Sequence, residues 1–321
     1  MLKAIAHTVF AQAQREGGGF LVHRALGGSR LPDLDPFLML DHMGPMHYKP
    51  GEAIGAPDHP HRGFETVTYV IKGEMQHLDS HGNKGDLKEG WVQWMTAGSG
   101  VVHSEMPSDR IYREGGTVEG FQLWVNLPAK DKRIPPRYQD TPADKIPVVT
   151  VADNSAVSIK VMAGEAEAIK GPIETRFPIV FLDIRMDAGA KPYQLKLPSG
   201  LHGFIYVFEG DDGALLVGPE SAPLKKFDLG VINSKYLNQQ DSANVFIQLA
   251  LKSANAGVRC LVVAGTPLRE KVARYGPFVM NTQDEIIEAF MDYQAGKMGA
   301  IDGAAERQRQ TEAALTKSSQ N

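Results

Sequence analysis

The chain has 321 residues, 42% of them hydrophobic and 22% charged, so it can bury a large core and does not read as disordered. Its formal charge of −4 argues against the basic face of a nucleic-acid binder, and its single cysteine, Cys260, excludes a disulfide-stapled fold. The length suits two domains, and 33 glycines with 20 prolines supply the punctuation of many short strands.

In chain order, Lys3 is followed by an apolar stretch interrupted by His7, Thr8, Gln12 and Gln14, which lacks the unbroken apolar core of a signal peptide. No run of about 18 apolar residues follows, so no membrane span is expected and the expected location is cytoplasmic. Residues 66–71 are rich in β-branched and aromatic side chains that suit a strand. Phe121, Leu123, Val125 and Leu127 alternate with Gln122, Trp124 and Asn126, the period of a half-buried strand. Residues 129–147 shift to proline and charge. This predicts a linker over 136–148 between a domain at 1–135 and one at 149–321. Val180, Leu182, Ile184 and Met186 repeat the alternation, and 205–208 and 245–251 are further strands. A helix is predicted over 283–296, with Thr282 and Glu285 as a capping box and Ile286, Ile287, Phe290 and Tyr293 as its apolar stripe. The polar tail beyond Gly303 is expected to fray. Many short strands so spaced predict an all-β sandwich or barrel.

Tyr69-Val70-Ile71-Lys72-Gly73 returns as Tyr206-Val207-Phe208-Glu209-Gly210 at an offset of 137, which points to a duplicated β domain.

The ten histidines carry the chemistry. In a strand, His59-Pro60-His61 puts two imidazoles on one face, about 6.6 Å apart along the chain. His103-Ser104-Glu105 repeats the spacing and adds an imidazole and a carboxylate. Three neutral nitrogens and one anionic oxygen suit a borderline divalent ion such as iron, manganese, nickel or zinc, with open positions if octahedral. Calcium and magnesium prefer oxygen alone. Glu65 competes for the carboxylate place. In a straight strand it lies about 13 Å beyond His61 and needs a bend at Gly63, so Glu105 is the expected ligand and Glu65 a supporting group.

The other candidates are plainer. His42 and His47, flanking a turn at Gly44-Pro45, are expected in capping or core roles, and His77 and His81 in a solvated hairpin. Trp91, Trp94, Trp124, Met95 and Met106 are expected in the core, with Trp94 or Met95 able to wall a cavity. At the offset of 137, His59 and His61 fall on Lys196 and Pro198, so the second domain is expected without a metal. Ser-His-Asp, P-loop and dinucleotide fingerprints are absent from the sequence.

Five segments resemble the pirin family: DPFLMLDHMGP at 35–45, DHPHRGFET at 58–66, QWMTAGSG at 93–100, HSEMP at 103–107 and YGPFVMN at 275–281. The resemblance runs in order from about Arg15 to Met298. It implies two antiparallel cupin (jelly-roll) β-barrels stacked as a bicupin, with one metal in the N-terminal barrel and a degenerate second barrel. It also implies His59, His61, His103 and Glu105 as ligands, with Fe(II) the expected ion and Mn, Ni, Cu or Zn as others the set accepts. Most cupins draw the carboxylate from the position of Glu65, and pirins depart from that pattern.

For activity, the resemblance implies quercetin 2,3-dioxygenase-type opening of a flavonol ring by dioxygen with release of carbon monoxide. In that reading Glu105, or Glu65 through a water, takes the proton of the flavonol 3-hydroxyl as general base. The rival expectation is a non-enzymatic, metal-dependent regulator of a transcription factor or metabolic enzyme, with Arg15, His23, Arg24, Arg30 and Lys49 as a positive surface. Only the enzyme needs a substrate-sized apolar cavity at the metal, and the reading leans that way. A structural zinc site is disfavoured because such sites prefer four closed ligands, often cysteines. Partners are thus a small aromatic substrate or a protein, without nucleic acid or membrane, and the chain is expected as a monomer.

Overall fold

The computed structural model describes residues 3–16, 19–210, 214–218, 222–237 and 243–318. The chain begins with β1 (Ile5–Phe10), β2 (Gln12–Glu16), β3 (Phe20–Leu26), β4 (Phe37–Tyr48), β5 (Ala56–His61), β6 (Phe64–Lys72), β7 (Glu74–Asp79) and β8 (Lys84–Lys88). Next come β9 (Val92–Thr96), β10 (Val101–Pro107), helix α1 (Asp109–Glu114), β11 (Gly116–Asn126) and β12 (Arg137–Thr141). Then follow β13 (Val148–Val151), β14 (Asn154–Ala163), the short pair β15 (Glu165–Ala166) and β16 (Ile169–Lys170), β17 (Ile179–Met186), β18 (Tyr193–Pro198) and β19 (His202–Glu209). The rest is β20 (Leu215–Val217), β21 (Asp228–Ile232), α2 (Ser234–Leu237), β22 (Asn244–Leu251), β23 (Val258–Gly265), β24 (Ala273–Tyr275), β25 (Phe278–Met280), α3 (Gln283–Gln294) and α4 (Ala304–Ser318).

Two compact units result, each with a seven-stranded and a smaller sheet. The N-terminal barrel has the order β12-β9-β6-β11-β4-β3-β2, with β5-β10-β7-β8 as its second sheet. The C-terminal barrel has β1-β21-β19-β23-β17-β14-β13, with β18-β22-β20. The repeated pentapeptide begins in β6 of one and β19 of the other, third in both orders. The all-β duplicated fold is what the alternation and the repeat predict.

The units are not two consecutive stretches of chain. Met1–Ala11 and Ala25–Pro36 belong with Asp144–Pro267, while Gln12–Arg24 and Leu268–Asn321 belong with Phe37–Ala143. The linear division at 136–148 therefore leaves out an N-terminal strand serving the later barrel and a C-terminal segment serving the earlier one. Strand pairing shows why: β1 adds to β21 through Ile5↔Ile232 and Val9↔Leu229, a long-range match that no local composition signals.

Much of the expected linker is built structure. Residues 137–141 pair with β9 as an edge strand, Tyr138 opposite Met95. Lys132, only 1% exposed, donates from Nζ to the carbonyls of Gly63 (2.7 Å) and Val279 (3.0 Å) and to Asn126 Oδ1 (2.6 Å). An edge strand needs only a partner's backbone groups, so it carries no apolar period to read. The predicted turn at Gly44-Pro45 lies inside β4, where Gly44 has φ +75° and the register to β11 shifts between Val118 and Gly120. This is a bulge rather than a turn.

The capping box of α3 is present: Glu285 N donates to Thr282 Oγ1, and Thr282 N to Glu285 Oε2. Of the expected stripe, Ile286 is buried and Phe290 packs against the same cluster, with Ala289 beside them, while Ile287 is 57% exposed and Tyr293 38%. The tail expected to fray is helical through 318; residues 319–321 lie outside the described residues. The buried positions of α4 are Arg307, Thr311 and Ala314. They have helical spacing but mostly polar side chains, which a search for apolar periodicity passes over.

Candidate metal centre

Strands β5 and β10 lie side by side and antiparallel, with His59 opposite His103 and His61 opposite Val101. Between His103 and Glu105 the register slips, so Glu105 pairs with Ala56 and the bulge falls on β5. Pairing places the side chains of His59 and His103 on one face, and the i, i+2 steps add His61 and Glu105 to it. The ring centroids of His59, His61 and His103 stand 4.3–4.9 Å apart, and one ligand nitrogen from each lies within 4.8 Å of the others.

Two of these rings are held from behind. His59 Nδ1 lies 2.7 Å from the Pro57 carbonyl oxygen and His61 Nδ1 3.3 Å from that of Pro277, contacts that suit donation from Nδ1 and leave Nε2 as the free acceptor. His103 is 1% exposed and neither of its ring nitrogens has a hydrogen-bond partner. Burial holds His61 and His103 well below the usual imidazole range, with repulsion from neighbouring imidazoles as a smaller cause, so both are neutral with lone pairs to give. Unsatisfied buried nitrogens are costly, and a cation among three of them removes that cost. The residues fit a borderline divalent ion.

Burial pushes the Glu105 carboxyl up, opposed by His59 and by two hydrogen bonds. Those come from Thr68 Oγ1 at 2.9 Å to Oε1 and from Gln122 Nε2 at 3.2 Å to Oε2. Glu65 is elsewhere. The chain turns at Gly63 (φ +86°), where a Cβ would meet the Val279 carbonyl oxygen at 2.0 Å, so Glu65 belongs to the next strand and the other sheet. There it pairs with Thr96, whose hydroxyl donates to Oε1 at 2.6 Å.

A cavity of about 860 Å³ opens on this face, lined by His59, His61, Glu105, Gln122 and Trp124 among others. Helix α4 contributes Gln308, Thr311, Glu312 and Leu315 to its wall. The helix is pinned by Arg307, whose Nε and Nη2 donate to Asp58 Oδ1 (2.6 Å) and Oδ2 (2.8 Å) beside His59. Trp124, not Trp94 or Met95, walls the cavity; those two are fully buried. Arg24, expected on a positive surface, is taken by Asp41 at 2.7 and 2.6 Å and by Glu16 at 2.9 Å.

His42 is buried beside Glu119 at 3.1 Å, a core role as expected. His77 is a correction. It is 2% exposed in β7, directly opposite Glu105, with its ring centroid 5.4 Å from that of His103. Burial lowers its imidazole to about 4. The polar run that follows it suggested a solvated hairpin, but the step from His77 to Asp79 is the same i, i+2 signal that marked the other pairs.

No helix among the described residues is long and apolar enough to cross a membrane. The sequence model of the Pirin family matches residues 19–125, and that of the pirin C-terminal cupin domain matches 181–299. Pirin-like protein 2 of Arabidopsis thaliana is 40% identical over 298 residues, covering 92% of this chain and 86% of its own. A crystal structure of quercetin 2,3-dioxygenase from Acinetobacter baumannii superposes with a TM-score of 0.82 at 35% identity, covering 94% of this chain and all of that one. The fold extends to the Escherichia coli pirin YhhW in complex with nickel(II), with a TM-score of 0.57 at 16% identity over 81% of this chain and 99% of that one. With two matching domains and relatives along nearly its whole length, this chain belongs to the pirin family of bicupins.

Proposed function

We propose that the protein is a metal-dependent, quercetin 2,3-dioxygenase-type enzyme that opens a flavonol ring with dioxygen and releases carbon monoxide. The observation that carries this is the cavity on the histidine face, whose volume of about 860 Å³ falls within the usual span for small-molecule sites. A regulator read through its surface has no use for it. The solved quercetin 2,3-dioxygenase with the same fold at 35% identity supports the reading.

In this reading His59, His61, His103 and Glu105 hold one divalent ion, most suitably Fe(II). When bound, the ion supplies Lewis acidity at the flavonol 3-hydroxyl and redox chemistry toward dioxygen. The chain's own residues do the rest. Glu105, its carboxyl raised by burial, takes the 3-hydroxyl proton on a carboxylate oxygen. Thr68 and Gln122 keep that carboxylate aimed through their hydrogen bonds. The half-buried indole of Trp124, capped by the Arg274 guanidinium 4.9 Å from its ring, offers a flat wall for an aromatic substrate. Wall residues of α4 keep water from the electron-rich ring. Glu65, held by Thr96 and outside the described lining, supports the barrel rather than the proton transfer.

The test is anaerobic loading with ferrous iron, addition of quercetin and oxygen, and measurement of flavonol absorbance against carbon monoxide. Matched loss and release in the wild type, absent from His61→Ala treated alike, is expected. A protein shown to hold one iron that consumes no flavonol overturns the reading.

A further inference from the structure

The three clustered imidazoles are not equally supported. A histidine that gives one nitrogen to a metal needs an acceptor for the N–H on the other, because that contact fixes tautomer and ring angle. His59 has the Pro57 carbonyl and His61 the Pro277 carbonyl. Neither nitrogen of His103 has a partner. Among the other buried nitrogens that are equally bare, Nε2 of His77 belongs to a ring that stands beside His103.

His77 reaches the site from the side opposite His59, since β10 runs between β5 and β7. Its ring stands 5.4 Å from that of His103 at an interplanar angle of 53°, somewhat beyond the 4.3–4.9 Å among the cluster rings themselves. Of its other neighbours, Tyr138 carries a hydroxyl that is likewise buried and without a partner, with the Asp79 carboxylate beside it. The Tyr138 ring packs on it at 4.7 Å, and the Asp79 carboxylate is engaged by His81 N, Asn83 N and Asn83 Nδ2. A neutral imidazole keeps one acceptor nitrogen, which is what His103 lacks.

We propose that His77 is the positioning residue for His103: its acceptor nitrogen takes the N–H of His103, which fixes the tautomer that turns the opposite nitrogen to the ion. The inference rests on the metal-site reading above and not on the flavonol. It makes β7 and the strand carrying Tyr138 part of the metal site, although neither supplies a ligand.

Two measurements test it. Long-range 1H–15N spectra of the metal-free protein should show His103 in one tautomer in the wild type and in a mixture in His77→Phe. Chelator competition with Co(II) should show affinity falling about 10- to 100-fold in His77→Phe, as for lost outer partners of ligating histidines. His77→Gln, which restores an acceptor oxygen, should recover most of that loss. Thermal unfolding of the metal-free variants checks that both fold. A mixed His103 tautomer in the wild type overturns the proposal even if metal binds tightly. Equal affinity in His77→Phe and wild type, or no recovery in His77→Gln, overturns it as well. A wild type that binds no Co(II) yet shows one His103 tautomer, lost in His77→Phe, overturns the metal reading and leaves the His77–His103 contact standing.

Discussion

The two barrels share one sheet order and differ in what they do with its interior. In the N-terminal barrel His59 faces His103 across β5 and β10; in the C-terminal barrel Leu195 faces Ile247 across β18 and β22. His61 opposite Val101 has its counterpart in Leu197 opposite Val245. Leu195, Leu197, Val245, Ile247 and Leu249 all lie in one buried apolar cluster. The same backbone positions thus hold the imidazole cluster in one barrel and packing side chains in the other. The difference teaches that the sheet offers a place and the side chains decide its chemistry.

The sharpest way to break that comparison is to empty each position in turn. His59→Ala should take bound metal from one per chain to near zero, while thermal stability of the metal-free protein changes little, since only a half-buried imidazole with one contact to the Pro57 carbonyl is lost. Leu197→Ala should leave metal content alone and cost about 2–5 kcal/mol through its cavity. Metal analysis and urea unfolding on both variants read the contrast. Loss of metal in Leu197→Ala would show that the leucine barrel supports the site as well as itself.

How much of this was legible in the sequence follows from the same strands. The spacing of His59, His61, His103 and Glu105 could be read because i, i+2 pairs announce a shared face within one strand. His77 could not be joined to them, because what unites it with Glu105 is pairing across two strands 28 residues apart in sequence. The offset of 137 aligns β6 with β19 but misses the positions of β18 that match the imidazole cluster. The connection 199–201 is one residue longer than Arg62-Gly63, and a single residue turns every side chain to the other face. Lys196 and Pro198, the matches at that offset, are exposed, whereas Leu195 and Leu197 are buried. A straight-strand reading continues the strand of His61 to Glu65, whereas the turn at Gly63 sends Glu65 to the other sheet. The two helices differ in the same way: α3 carries a capping box, while α4 buries Arg307 and Thr311 and so looks like tail.

A second contrast lies in how buried charge is handled. Lys132 ties the turn after His61 to β11 and β25 through three acceptors, and burial lowers its ammonium to about 8. Between pH 8 and 10.5 the unfolded chain keeps a proton there that the folded chain has released. The unfolded state binds more protons in this window, so the stability contribution of Lys132 rises with pH across it. Lys132→Met should cost about 2–3 kcal/mol at pH 8 through lost charge-assisted hydrogen bonds. The gap to wild type should widen by about 2 kcal/mol on going to pH 10. Paired urea titrations at the two pH values measure it. A gap that narrows with pH would mean that the three acceptors outweigh desolvation.

The smallest expected effect concerns the wall that α4 provides. The C-terminal domain match ends at 299 and α4 begins at Ala304, so the helix lies beyond the segment that the family models match. Arg307→Lys keeps a positive charge opposite Asp58, which avoids leaving that carboxylate bare, but it loses the two-pronged contact. The cost should be about 1 kcal/mol, felt as faster amide exchange along α4 and about fivefold weaker flavonol binding under anaerobic conditions. Metal content should not move, because Asp58 is beside His59 in sequence but outside the imidazole cluster. If exchange along α4 accelerates and flavonol affinity holds, the helix is a brace for β5 and not a wall of the substrate site. Selectivity would then fall to the half-buried Trp124 and the guanidinium of Arg274 stacked on it, both of which line the cavity from the barrel itself.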